Sequence, residues 1–459
     1  MLPKMSLRPL LLIPFLLAAC TAEEQPADNA GGNAGSGFLD TPDGSDPLAQ
    51  ASGNQAQGNQ PLVPAQPPAA AYEPKREPQF HFETDAISDE ELGEFHVRMS
   101  VEISGEDKGT MTFVLWPEKA PKTVRNFLRY VDEGFYDDLV FHRILRDFMI
   151  QGGSITNDGS GKGPHGTIPG EFSDDSKYDH RYGVLSMARS QDPNSAGSQF
   201  FVICGESMST VGLNGGYASF GKMVHGVETL EAIADVPVGF DPVNPREKSN
   251  PQQRVVITEA VVERAPPAQT EEVVQPKADL GGAPERIVIQ HILVSQAGVR
   301  GTGATRTAEE AEQLAKDLTA RARGGEDFGA LVNEYTDDAA SKTADPPGSY
   351  RMLNSGVFDY DSVRESMQIQ KQAEEIRTGV MAKVNAGEIT PQEAQQVFMA
   401  EVEKLGLIEK LQAVQWMSRD DMVPGFGEVG FSLAVGEVGL LEYDPVKSPF
   451  GYHIIKRVQ

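Results

Sequence analysis

Cysteine is almost absent from this chain: 459 residues hold two, Cys20 and Cys204. Neither a disulfide scaffold nor a zinc site can be built from such a pair. Basic charge is also scarce, with 40 Lys and Arg against 67 Asp and Glu and a formal net charge of −27. No basic stripe interrupts that excess, which argues against nucleic acid phosphate as a partner. Long apolar runs are missing near the N-terminus, where the run Leu10 to Leu17 is too short to span a bilayer as a helix. What the chain does have is length. It exceeds what one core can bury, so two or three domains joined by linkers are expected.

Lys4 and Arg8 precede the apolar run, and Leu17-Ala18-Ala19-Cys20 follows it. A positive region, a short apolar region and small residues make a secretory signal. The last four residues resemble a bacterial lipobox, which implies a lipoprotein signal over residues 1–20 and diacylation of Cys20. The chain would then be exported and lipid-anchored on the periplasmic side of the envelope. Thr21 after the acylated cysteine points to the outer membrane if the cell has one. Cys204 is left as a lone thiol in an apolar strand, a packing residue.

Residues 21–88 are rich in Ala, Gly, Pro, Gln and Asn without a sustained apolar period. Such a segment cannot offset its ordering entropy and is expected to be a disordered tether, spanning roughly 40–50 Å as a flexible coil. From residue 89 to 264 short alternating runs recur between Gly- and Asp-rich turns. Met99-Val101-Ile103, Met111-Phe113-Leu115, Val184 to Ala188, Gln199 to Ile203 and Val255 to Val262 read as strands. Pro121 opens a helix with Val124, Phe127, Leu128 and Val131 on one face. Many strands and few helices suggest a barrel or a sandwich. A linker over residues 265–284 leads to a second domain, 285–459. There Arg286 to Val294 is a strand and Thr307-Ala308-Glu309-Glu310 a capping box. A charged helical insertion is expected over about 351–419, broken at Gly387 and recapped at Thr390.

Phe141-His142-Arg143 and Phe148-Met149-Ile150-Gln151-Gly152-Gly153, with Gly197-Ser198-Gln199-Phe200-Phe201 some 45 residues on, carry the chemistry. Together they resemble the core motifs of the cyclophilins, peptidyl-prolyl cis/trans isomerases built on a closed antiparallel β-barrel with two helices. Rotation about an X-Pro bond is slow because amide resonance imposes a barrier of about 18–20 kcal/mol. A catalyst needs no cofactor, metal or nucleophile, only tighter binding of the twisted bond than of either planar isomer. The resemblance makes Arg143 the catalytic donor that assists pyramidalisation of the prolyl nitrogen, with Gln151 holding the substrate backbone and Phe148 at the reacting ring. Met149, Phe201 and Leu213 become walls of the proline pocket, and Ala188 and Gln199 line the adjacent groove. His142 is read as structural. Where eukaryotic cyclophilins often have Trp-Leu-Asp-Gly-Lys-His, this chain has Gly212-Leu213-Asn214-Gly215-Gly216-Tyr217, so Tyr217 packs on the ring. Loss of that tryptophan implies weak inhibition by cyclosporin.

Gln290-His291-Ile292-Leu293-Val294, Tyr335-Thr336-Asp337-Asp338 and Phe450-Gly451-Tyr452-His453-Ile454-Ile455 resemble the parvulins, a second prolyl isomerase class with a small α+β fold. By that resemblance His291 and His453 face each other beneath the site, Asp338 stands at the polar position, and Met422 and Phe426 seat the proline. A buried histidine pair that only holds the sheet is the other reading of those residues. Asp345-Pro346-Pro347-Gly348-Ser349 replaces the family's Gly-rich turn and stiffens it. Arg300 and Arg306 form no phosphate-reading cluster.

The two resemblances imply a multidomain prolyl isomerase whose expected clients are extended polypeptides with X-Pro bonds. The rival is a tethered, non-catalytic chaperone that holds such segments. The helical insertion fits a client-holding arm, a spacer or a dimer contact. Oligomeric state has no signature in the sequence.

Overall fold

The computed structural model describes residues 72–83, 86–264, 273–299 and 302–459. Cys20, residues 21–71 of the expected tether, residues 265–272 of the linker and Arg300 lie outside the described residues. Two compact units divide at Pro276 and Lys277.

In the barrel unit, β1 (Phe95–Ile103) and β2 (Glu106–Leu115) form a hairpin whose alternation sends Val97, Met99, Val101, Met111 and Phe113 into the core. Helix α1 (Pro121–Asp132) closes over them with Val124, Phe127, Leu128 and Val131 fully buried, the face its spacing predicts. Short strands β3 (Arg143–Leu145), β4 (Met149–Gly152), β5 (Val184–Met187) and β6 (Phe200–Ile203) follow. A single turn, α2 (Met208–Val211), precedes β7 (Ser219–His225) and α3 (Val227–Ala234). A separate hairpin of β8 (Val238–Phe240) and β9 (Lys248–Pro251) precedes β10 (Val255–Arg264).

The eight-stranded sheet runs β10-β1-β2-β7-β5-β6-β4-β3, with every pair antiparallel. The barrel is therefore open, which corrects the closed barrel expected from the sequence. At the seam only an isolated bridge, Val140 to Val256, and single backbone bonds such as Phe141 N to Val255 O (3.0 Å) reach β10. Asp138 turns there through φ 65°, and the Val140 N–H, which faces away from β10, donates to Asn157 Oδ1.

The tether expected through residue 88 also needs correction. Residues 72–83 and 86–88 contain Tyr72, Phe80, Phe82 and Ile87, all packed on the barrel core, with Phe82 only 1% exposed. The Asp132 carboxylate accepts from Gln79 N and Phe80 N and fixes this strap. Four aromatic and aliphatic side chains supply burial that the Gly- and Pro-rich composition upstream does not.

The C-terminal unit is α+β. Strands β11 (Arg286–Val294), β12 (Ser349–Leu353), β13 (Met417–Ser418), β14 (Val438–Leu441) and β15 (Tyr452–Arg457) order as β13-β12-β11-β15-β14, antiparallel except for β12 with β13. Helices α4 (Ala308–Arg323), opened by its Thr307/Glu310 capping box, and α5 (Phe328–Tyr335) cover one face with Ala311, Ala315, Leu318 and Val332. Helices α6 (Tyr360–Asn385), α7 (Pro391–Lys404) and α8 (Leu407–Val414) bury their own cluster of Ile369, Ala373, Phe398, Val402 and Leu411. Helix α9 (Pro424–Ser432) packs Phe426 and Phe431 on the other sheet face. Residues 351–353, read as the start of the insertion, pair in β12, and the helices begin at Tyr360.

Candidate active site

Register assembles the first site. Arg143 lies opposite Gln151 across β3 and β4, Gln151 opposite Phe201 across β4 and β6, and Phe201 opposite Ser186 across β6 and β5. Directly opposed residues in such a ladder touch, so a polar-to-apolar row crosses four strands. Beneath it Phe148, Met149, Ala188, Phe201, Leu213 and Tyr217 share one apolar cluster with Trp116, Val184 and Ile203. Every pocket residue named from the sequence thus comes to one place, although they span some 70 positions of chain. Gln199 joins through its amide, accepting from Gln151 Nε2 at 2.9 Å and donating to the carbonyls of Gly159 and Gly161 at 2.8 Å.

Arg143 is 3% exposed. Its Nε and Nη2 each donate to Glu247 at 2.7 Å, one to each carboxylate oxygen, and Nη1 donates to Gln151 Oε1 at 3.4 Å. Burial pushes Glu247 up, yet the hydrogen bonds and charge of Arg143 outweigh it and hold the carboxyl below its ordinary value. Beside Arg143 opens a cleft of about 670 Å³, lined by Phe148, Ser207, Ser209, Val238 and Lys248 among others. Glu247 went unrecognised in the sequence because it stands in an irregular Pro- and Asn-rich turn, 104 residues beyond its partner.

His180 is a second residue the sequence did not mark. Its ring stacks on Phe201 at 6.1 Å between centroids and 17° between planes. Asn214 Oδ1 lies 2.9 Å from Nδ1, and Ser186 Oγ lies 3.0 Å from Nε2. An amide oxygen only accepts, so the ring proton belongs on Nδ1. Burial pushes this histidine down to about 4, and it is neutral. Arg189 covers the Tyr217 ring at 4.5 Å and donates from Nε to Gly216 O, which closes the loop carrying Leu213 and Tyr217. His142 is half-buried with its Nδ1 enclosed, and burial followed by the neighbouring Arg143 charge pushes it down to about 4. Cys204 is buried, its thiol pushed up to about 12 by burial.

In the C-terminal unit β11 and β15 bring His291 and His453 ring to ring, 5.1 Å apart and 29° between planes. Phe426 meets both edge-on, at 5.1 and 5.3 Å. All four ring nitrogens lack a hydrogen-bond partner. Burial pushes His291 down to about 3 and His453 well below its ordinary value, so both are neutral. Asp338 does not meet the rings through a hydrogen bond of theirs. Its Oδ2 accepts from Tyr350 OH at 2.6 Å, and its Oδ1 accepts from Ala340 N and Ser341 N. Tyr350, absent from the sequence reading, stands against His291 at 5.3 Å and Phe426 at 5.8 Å. Met422 is half-buried and packs on the Phe426 cluster.

Comparison with known proteins places both units. A family model described as cyclophilin type peptidyl-prolyl cis-trans isomerase/CLD matches residues 98–262, and one described as PPIC-type PPIASE domain matches residues 277–413. The second match ends before Met422, Phe426 and His453. A peptidyl-prolyl cis-trans isomerase of Staphylococcus haemolyticus is 39% identical over 160 residues, 29% of this chain and 79% of the relative. One of Staphylococcus aureus strain USA300 is 38% identical over 160 residues, 29% of this chain and 80% of the relative. A crystal structure of a Cryptosporidium parvum cyclophilin type isomerase shares 32% identity, with a TM-score of 0.32, over 37% of this chain and 98% of that one. The chain belongs to the cyclophilin-type peptidyl-prolyl cis-trans isomerases and carries a PPIC-type domain after its cyclophilin domain.

Proposed function

We propose that this isomerase is exported, lipid-anchored through Cys20 on the periplasmic side of a bacterial envelope, and assists the folding of exported proteins at X-Pro bonds. The observation that carries the catalytic part is the row Arg143, Gln151, Phe201 over a continuous apolar cluster. A proline ring seated on Phe148, Met149, Phe201 and Leu213 would present its nitrogen to the Arg143 guanidinium, while Gln151 and Gln199 hold the flanking peptide. The donor stabilises the twisted bond, in which the nitrogen lone pair is no longer delocalised, more than either planar isomer. The lipobox-like Leu17-Ala18-Ala19-Cys20 supports the anchor, and Thr21 supports the outer membrane.

Isomerisation of a short X-Pro peptide tests the reading, with the chain lacking residues 1–20. Arg143→Ala is expected to lower kcat/KM by about 10²–10³; an unimpaired variant overturns the assignment. Cys20→Ser should abolish labelling of the intact chain by a radioactive fatty acid.

For the C-terminal unit, a second isomerase or a client-binding module, one observation weighs against turnover by the seat as it stands. Tyr350, tied to Asp338, packs against Phe426, and Phe426 is 1% exposed. In the Arg143→Ala chain, a residual rate above the uncatalysed one that His453→Ala removes would give turnover back to this unit.

A further inference from the structure

The β8–β9 hairpin does more than fill space beside the barrel. Its turn is pinned from both sides: Asp241 Oδ1 accepts from Val243 N and Asn244 N, Glu247 N donates to Asn244 O at 3.0 Å, and Asp241 N donates to Glu247 O at 2.8 Å. Glu247 is therefore delivered to Arg143 by a backbone that has little freedom of its own. The guanidinium is a rigid fork, and two parallel bonds to one carboxylate define its plane as well as its position. Gln151, at 3.4 Å from Nη1, is too distant to do this alone. We propose that Glu247 is a positioning residue for the isomerase reaction, holding Arg143 so that the remaining hydrogens of Nη1 and Nη2 are aimed at the substrate. The inference rests on the reading of Arg143 as the donor to the prolyl nitrogen.

The adjoining cleft shows what the carboxylate prevents. Asp147 and Asp235 also line it, alongside Arg146. A buried guanidinium stripped of Glu247 is an uncompensated charge. It would turn toward those carboxylates and solvent, away from the proline cluster. A displacement of about 1 Å at a reacting group is enough for a loss on the order of 10² in rate.

The test uses the intact chain and an X-Pro peptide, with kcat and KM separated by exchange NMR. Glu247→Ala is expected to lower kcat by about 10- to 100-fold with little change in KM, and Glu247→Gln, which keeps one acceptor, by less. In an Arg143→Ala background the Glu247→Ala change should cause no further loss. An undiminished or increased rate in Glu247→Ala overturns the proposal, the increase because the carboxylate would then compete with substrate. An equal loss in both backgrounds overturns it as well, since the residue would be acting on the fold. If Arg143→Ala alone is fully active, the reading of the site falls and takes the inference with it. The Arg143 Nε–H resonance supplies a readout independent of turnover: it should be protected from exchange in the wild type and exposed in Glu247→Ala, and unchanged protection overturns the proposal.

Discussion

Arg143 and Tyr350 show how far a single residue's role depends on partners distant in sequence. Three of the donor bonds of Arg143 are made within the protein, two of them to Glu247. Tyr350 is mostly buried, and burial followed by Asp338 pushes its phenol well above the ordinary value, so it remains a donor. Its 2.6 Å bond to the Asp338 carboxylate is charge-assisted, a class worth about 1.5–3 kcal/mol. Tyr350→Phe is expected to destabilise the C-terminal unit by about that amount, read as a lower urea midpoint for the fluorescence of Trp416 in a Trp116→Phe chain. A midpoint unchanged from the parent would show that water replaces the phenol at no cost. At this scale the motif residues were legible because they are adjacent in sequence. Glu247, His180 and Tyr350 were not, because nothing local distinguishes an acid in a turn or an aromatic at a strand start until the strands are paired.

The elements themselves were mostly legible, and helix α1 shows where that legibility ends. Pro121 and the spacing of Val124, Phe127, Leu128 and Val131 announce it. Its cap is invisible in the sequence, since Ala120 has no side-chain acceptor. Glu171, 48 residues away, takes over: its carboxylate accepts from Lys122 N at 3.2 Å and from Thr123 N and Oγ1 at 2.8 and 2.7 Å. Lys119 donates to the Glu171 and Ser219 carbonyls, and burial pushes it down to about 8. Glu171→Ala removes a long-range cap and is expected to cost about 1–2 kcal/mol, with Glu171→Gln closer to wild type. Denaturant unfolding of the two variants checks this; equal midpoints would place the helix start under other control. The same logic explains the remaining differences. Alternation identifies β1 and β2 but cannot tell whether a ladder closes, because the residues that reach β10 at the seam, Asp138, Leu139 and Phe141, lie outside any strand. Composition marked residues 72–88 as tether, since a window average conceals four apolar side chains that each find a place on the barrel.

Across the whole molecule the acidic surface and the buried histidines respond to pH differently. His142 and His180 in the barrel unit are pushed down to about 4, His291 in the other unit to about 3, and His453 well below its ordinary value, burial being the largest cause each time. In the unfolded chain each titrates near 6.5. Below that pH the unfolded state takes up protons that the folded units refuse, so stability falls with pH down to the folded values. Carboxylates such as Glu247 and Asp158, held below their ordinary values, lose their contribution only at lower pH, as it falls past the unfolded carboxylate values and on to their own. Between about pH 6.5 and 5 the histidines therefore dominate, at about 2 kcal/mol for each fully buried ring by pH 5. The two tryptophans fall one in each unit, Trp116 and Trp416, so Trp416→Phe and Trp116→Phe chains report the units separately. Urea midpoints of both units should drop between pH 7 and 5. Replacing His291 by Leu should reduce the response of the C-terminal unit to the part that His453 supplies and leave that of the barrel unchanged. A pH-independent midpoint, or a His291 resonance that titrates near 6.5 in the folded chain, would mean that the ring pair is reached by water. The packed seat around Phe426 would then open far more readily than its contacts imply.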